Sequence, residues 1–173
     1  MEETLTGSRE AFGLLVVRYS RAVRAACVAR VGLREDLDDM VQETFLRAYK
    51  GLPRLRDHSR FGAFVHRIAQ NIAIDRLRRG GREAVSLEDV NLEPQTATEP
   101  RDDREEHLAQ VRALVGRLPP ALREAVLMFY FERHSHAEIA GMLGITEAAV
   151  NQRLHRARVQ LREAFGLRAE QGS

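Results

Sequence analysis

The sequence predicts an all-α fold, in two small helical domains joined by a flexible acidic linker. Three observations carry that prediction. Apolar residues recur at helical spacing through every long segment, and none shows two-residue alternation or a hairpin signal. The composition changes abruptly over residues 83–106. There the acids are Glu83, Glu88, Asp89, Glu93, Glu99, Asp102, Asp103, Glu105 and Glu106, against only Arg101 and Arg104. Finally, residues 138–158 read as a helix, a tight turn and a second, basic helix.

The first domain, residues 1–82, opens with Ala11-Phe-Gly-Leu-Leu-Val-Val17, and Val23, Cys27 and Val31 continue on one face. Gly32 marks a break. A second helix is expected from about Leu37 to Lys50, stopped by Gly51 and Pro53. After a loop over residues 54–60, a third runs over 61–79, ended by Gly80-Gly81. In residues 83–106, Pro94, Pro100 and the Gln-Thr-Ala-Thr tract lower the helical expectation. A solvated spacer that keeps two domains apart explains the segment.

Helical pattern resumes at His107 and opens the second domain, residues 107–173. It pauses at Pro119-Pro120, where a proline also suits the start of the next helix. Residues 121–132 are strongly apolar, through Val126, Leu127, Phe129 and Tyr130, and a turn over Arg133-His-Ser135 comes next.

The bulk numbers exclude more than they reveal. The chain has 173 residues, 44% of them hydrophobic and 30% charged, with a net charge of +2 and a pI near 9.1. Charge distribution therefore says more than total charge. The single cysteine, Cys27, sits in an apolar helical pattern and reads as a small core residue. One cysteine allows neither a disulfide framework nor a cysteine metal cluster. With no signal peptide pattern and no apolar run of membrane-spanning length, the chain is expected to be soluble and cytoplasmic, without membrane insertion.

In the helix-turn-helix segment, Ile139, Ala140 and Leu143 give the first helix an apolar face. Gly144 suits the left-handed conformation that ends it, Ile145 plugs the corner, and Thr146 caps the second helix. Val150, Leu154, Ala157 and Leu161 then face inward. Ala148, Gln152, His155 and Arg156 face outward, with Asn151 at the flank. A short polar-basic face on the second helix of such a pair is a DNA-reading arrangement. An ordinary helical hairpin with a solvated face is the plain alternative.

Two further faces carry chemistry. Over residues 61–79, Phe61, Val65, Ile68 and Ile72 form a core stripe. Arg67, Asn71, Ile74 and Arg78 line up opposite, with Phe64 and His66 nearby. An amide beside arginines and aromatics suits an exposed nucleobase, whereas arginines at a helix C-terminus also simply match its dipole. Over residues 37–50, Leu37, Val41, Thr44 and Ala48 face inward. Asp39, Gln42, Glu43, Leu46, Arg47 and Lys50 fall outside. A lone exposed leucine needs no explanation, yet among charges it also suits an anchor for a protein partner. Signs of an enzyme are thin. His134 and His136 are two apart, the wrong spacing for one helix face, so with Glu138 they only mimic a metal site, and there is no phosphate loop or nucleophile motif. No catalytic residue, metal or cofactor is expected.

Taken together, these segments resemble the sigma factors of bacterial RNA polymerase, specifically the extracytoplasmic-function (ECF) group of the sigma-70 family. Ala11-Phe-Gly-Leu-Leu-Val-Val-Arg-Tyr19, Asp39-Met-Val-Gln-Glu-Thr-Phe-Leu-Arg-Ala-Tyr-Lys50 and Arg67-Ile-Ala-Gln-Asn71 with Ala73-Ile-Asp75 and Arg78-Arg79 resemble conserved region two. Leu118-Pro119, Glu138-Ile-Ala140, Leu143-Gly-Ile145 and Arg153-Leu-His-Arg-Ala-Arg158 resemble region four. The match covers nearly the whole chain outside the acidic segment.

The resemblance implies a promoter-specificity subunit that binds core RNA polymerase and directs transcription initiation. It assigns Phe64, Arg67, Asn71 and Arg78 to the minus-ten element, with Asn71 holding an extruded non-template base beside the 54–60 loop. It assigns Asp39, Gln42, Glu43 and Leu46 to the polymerase clamp helices. Asn151, Gln152, His155 and Arg156 would enter the major groove at the minus-thirty-five element. The acidic linker would thread the RNA-exit path, and an anti-sigma factor is the expected regulator. Two departures bear on promoter preference. Phe64 stands where the family often has tryptophan, and Ala148-Ala-Val-Asn151 replaces its usual glycine-threonine and basic residue. The rival reading is a stand-alone helix-turn-helix regulator, which would have no need of the clamp-binding and melting motifs.

Overall fold

The structure, a computed structural model, describes residues 9–79 and 101–171. Most of the acidic linker, with its implied exit path, lies outside them. The described residues fold into seven α-helices and three short helical turns, with no strand among them.

Helix α1 spans Arg9–Val31 as one uninterrupted rod. It ends at Gly32, whose φ of 72° is open to glycine at little cost. Helix α2, Leu37–Gly51, buries Leu37, Met40, Thr44, Phe45 and Ala48. Thr44 is fully buried because its hydroxyl donates to the Met40 carbonyl at 2.7 Å. Two single-turn 3-10 segments, Leu52–Arg54 and His58–Arg60, lead to α3, Phe61–Arg79. Phe61 lies at the centre of an aromatic cluster, with Tyr19 at 5.3 Å, Phe64 at 6.3 Å and Phe12 at 6.4 Å. Helices α1, α2 and α3 pack on one another as a three-helix unit.

Helix α4, Arg101–Arg117, starts six residues before the His107 at which the sequence pattern resumes. A proline followed by acidic residues suits a helix start, and that local chemistry overrode the disorder suggested by composition. Helix α5, Pro120–Val126, has its proline in the first turn and continues as a π-helical turn over Leu127–Phe131. Arg123 reaches back to donate to the carbonyls of Gly116 and Leu118, capping the end of α4. Helices α6, His136–Leu143, and α7, Glu147–Gln171, complete the second unit.

The two units are not held apart. Helix α1 packs on α5 and its π turn, and α3 packs on α6. Buried apolar residues of both, from Val23 and Phe61 to Met128 and Ile139, belong to one continuous core.

Candidate nucleic-acid and polymerase interface

The helix-turn-helix is built from local chemistry. Ser135 caps α6 by accepting from the Glu138 backbone N–H at 3.2 Å. The Glu138 carboxylate accepts in return from the Ser135 N–H at 2.9 Å and hydroxyl at 2.8 Å. These bonds hold the Glu138 carboxyl below the usual range and commit one of its oxygens to the cap. Among the described residues no group of three or more His, Cys, Asp or Glu is placed to hold a metal ion. His136 instead stacks on Phe129, with ring centroids 4.9 Å apart.

Gly144 ends α6 at φ 66°, and the Ile145 N–H reaches the Ala140 carbonyl at 3.1 Å. Thr146 then caps α7, accepting from the Ala149 N–H at 3.2 Å. With the corner fixed, Val150, Leu154 and Ala157 are buried and Leu161 half-buried, while Asn151, Gln152, His155 and Arg156 are all exposed. These four residues form a solvent-facing polar and basic strip. Arg158 lies off it, donating to the Tyr130 hydroxyl at 2.9 Å and tying α7 to the π turn.

On α3, Arg67, Asn71, Ile74 and Arg78 form the exposed strip that helical spacing predicts. Phe64 differs. Its ring is half-buried over the backbone of Gly51, where an added Cβ would lie 2.9 Å from Cζ. Of the arginines at the end of α3, Arg76 is tied into structure, 3.3 Å from Asp36 and 3.8 Å from Glu43. Arg78 and Arg79 remain exposed. The 54–60 loop is stiffened by Asp57, which accepts from the Ser59 N–H at 3.0 Å and hydroxyl at 2.6 Å. Its carboxyl is held below the usual range, chiefly by the Ser59 hydroxyl.

On α2, Asp39, Gln42 and Leu46 are exposed and Leu46 keeps 57% of its surface. Glu43 is half-buried between Arg47 at 2.6 Å and Arg76 at 3.8 Å, so its charge is already partnered. Beside Leu46 runs an apolar groove of about 530 Å³ between α1 and α2, walled by Phe12, Val16, Val41, Phe45 and Tyr49.

These surfaces sit within two recognised regions. Residues 15–83 match Sigma-70 region 2, and residues 108–161 match Sigma-70, region 4. The chain is 34% identical over 167 residues to the ECF RNA polymerase sigma factor SigM of Mycobacterium tuberculosis, spanning 94% of this chain and 81% of that protein. This chain belongs to the ECF sigma factors of the sigma-70 family. It is also 31% identical to the probable RNA polymerase sigma factor RfaY of Xanthomonas campestris, over 90% of this chain but only 40% of RfaY's length. Among solved structures, CnrH in complex with the cytosolic domain of CnrY resembles it with a TM-score of 0.63 and 27% identity, over 96% of this chain and 94% of that one.

Sequence reasoning missed the residues that join the two sigma regions. Glu124 of region 4 is 1% exposed, with Oε1 2.6 Å from His66 Nε2 and 3.4 Å from an Arg30 terminal nitrogen. The signal was present. Glu124 shares an apolar helix face with Leu127 and Met128, three and four residues on, and an acid in that position demands a partner.

Proposed function

We propose that this chain is a non-catalytic promoter-specificity subunit that binds core RNA polymerase and directs it to a promoter. In this reading residues 1–82 recognise and melt the minus-ten element, 83–106 form the linker, and 107–173 recognise the minus-thirty-five element. The carrying observation is the coexistence in one chain of an exposed reading strip on α7 and an exposed Leu46 beside an apolar groove on α2. A stand-alone regulator needs only the first.

Asn151, Gln152, His155 and Arg156 are proposed to enter the major groove, where amide and guanidinium groups read base edges. Arg67, Asn71 and Arg78 are proposed to hold the melted non-template strand, and the open edge of Phe64 to support stacking. Asp39, Gln42 and Leu46 are proposed to dock on the clamp helices of the largest polymerase subunit, with Glu43 orienting Arg47 alongside. An anti-sigma protein is the proposed regulator, a protein partner of the kind suggested by CnrH, which was solved in complex with the cytosolic domain of another protein, CnrY. No helix among the described residues is long and apolar enough to cross a membrane, and the site of action is the cytoplasm, with the polymerase.

The test is reconstitution. Purified chain and core polymerase are expected to co-elute and to make a discrete transcript from a fragment carrying the cognate promoter. A stand-alone regulator would bind the fragment by itself, with no core association and no transcript.

A further inference from the structure

Helix α7 is tied by directional bonds at two points, and the strip of Asn151, Gln152, His155 and Arg156 lies between them. The first is the corner, where Thr146 caps the helix and the Ile145 N–H reaches the Ala140 carbonyl. The second is Arg158, whose Nε–H donates to the Tyr130 hydroxyl at 2.9 Å. Thr146 and Arg158 lie about 18 Å apart along the helix at 1.5 Å per residue. Between them Val150, Leu154 and Ala157 are buried. Apolar packing is non-directional, so it holds the helix down without fixing its tilt. Swung by about 10° about the corner, the helix would carry Arg156, about 15 Å along it, through about 2.6 Å. A displacement of that size takes a side chain out of bonding range of a base edge.

The Tyr130 end of the tie is itself fixed in place. Tyr130 belongs to the π turn over Leu127–Phe131, where the Glu132 N–H reaches back to the Leu127 carbonyl at 3.1 Å. The turn closes through Arg133 at φ 56°, the one non-glycine with a positive φ among the described residues, and the His134 N–H bonds the Met128 carbonyl at 3.0 Å. A left-handed arginine is strained and a π turn is rare, and both cluster where function needs a particular side-chain direction. Phe129 stacks flat on His136 of α6, with centroids 4.9 Å and planes 4° apart, and meets Tyr130 edge-on, also at 4.9 Å. The buried His136 Nε2 has no hydrogen-bond partner among the described residues, so this side of the imidazole serves as a flat ring. His136, Phe129, Tyr130 and Arg158 thus join both helices of the helix-turn-helix through the π turn. Stability does not account for the tie. Tyr130 keeps 49% of its surface and Arg158 is exposed, and a hydrogen bond in water returns little beyond those it replaces.

We propose that Tyr130 and Arg158, backed by Phe129 and His136, are positioning residues for promoter readout. They brace the far end of the strip and so set which bases Gln152 and Arg156 reach, without touching a base themselves. The brace rests on the promoter-specificity reading above and concerns its upstream element.

The test uses the full chain with core polymerase and a promoter library randomised in the upstream element. Tyr130→Phe deletes one hydroxyl and leaves the ring contacts. It is expected to support transcription but to lose at least threefold in discrimination between the preferred sequence and its single mismatches, with the slope of log affinity against log salt unchanged. Arg158→Met and the double variant are expected to lose the same and no more, because either change opens the same tie. His136→Phe, which keeps a flat ring on Phe129, is expected to retain wild-type discrimination, and His136→Ala to lose it. Unchanged discrimination in Tyr130→Phe would overturn the brace. Loss confined to Arg158→Met, with a salt slope reduced by about 1, would assign Arg158 to a phosphate and overturn it as well. If the wild type selects no sequence, the promoter-specificity reading fails and the brace with it. If the wild type selects and Tyr130→Phe selects identically, the brace alone fails.

Discussion

His66 and Glu124 meet across the two sigma regions at 2.6 Å, with side chains 8% and 2% exposed. Removing His66 leaves the buried Glu124 carboxylate with Arg30 alone, at 3.4 Å, so the two residues do not act independently. A double-mutant cycle of His66→Ala and Glu124→Gln, followed by chemical denaturation, is expected to give a coupling of about 0.5–3 kcal/mol. A coupling indistinguishable from zero would mean that the pair is not formed in solution.

Leu46 offers a separable test of polymerase docking. It keeps 57% of its surface on α2, at the rim of the α1–α2 groove. Leu46→Glu is expected to shift unfolding free energy by no more than about 0.5 kcal/mol, as at other exposed sites. Core binding is expected to weaken by about 2 kcal/mol or more if Leu46 is a central anchor. Equal affinities of variant and wild type in a core polymerase titration would move docking elsewhere.

The Ser135–Glu138 capping box carries a pH signature. The Ser135 N–H and hydroxyl hold the Glu138 carboxyl below the usual range. A depressed folded-state pKa contributes stability that is fully present above the unfolded value of about 4.3 and is lost as pH falls through the folded value. Because Glu138 is largely exposed, the contribution is modest. Ser135→Ala is expected to cost about 1 kcal/mol at neutral pH and less at pH 3. A cost that does not change with pH would remove the carboxylate from the cap.

Much of the fold was legible from local pattern. The helix stripe of Phe61, Val65 and Ile72, the left-handed Gly144 and the Thr146 cap all rest on contacts within a few residues, which spacing encodes directly. The outward strip on α7 is a consequence, since burying Val150, Leu154 and Ala157 leaves Gln152 and Arg156 no other side. What the sequence hid was long-range. Nothing local says that Glu124 would find His66, 58 residues away, or that Phe64 would fold over Gly51 rather than stand free. Composition also misplaced the start of α4, because an acidic run reads as solvated spacer until it is seen to open a helix.

Cys27 is a probe of global opening. It is fully buried, and burial pushes its thiol up to about 12. The thiolate is the reactive form, so at pH 8 the native chain is expected to resist iodoacetamide while denatured chain reacts freely. Labelling is therefore expected to track unfolding across a denaturant series. Rapid modification of native protein would show that α1 exposes this face far more often than its packing allows.

The proposed reading strip of α7 offers two kinds of DNA contact to tell apart. Gln152 and Arg156 are one helical turn apart, both exposed, just past the Thr146 cap. An amide can pair with an adenine edge through two hydrogen bonds, and losing a good bidentate contact costs about 1–3 kcal/mol of discrimination. Gln152→Ala is therefore expected to relax base preference at one or two positions of the upstream element. Arg156 has two options, a guanine edge or a phosphate. If it holds a phosphate, Arg156→Ala weakens every sequence alike and reduces the slope of log affinity against log salt by about 1. If it reads guanine, the selected sequences change instead. The measurement is holoenzyme selection from a promoter library randomised in the upstream element, at two salt concentrations. Unchanged sequence preference in both variants would take readout away from this strip and leave α7 a supporting helix.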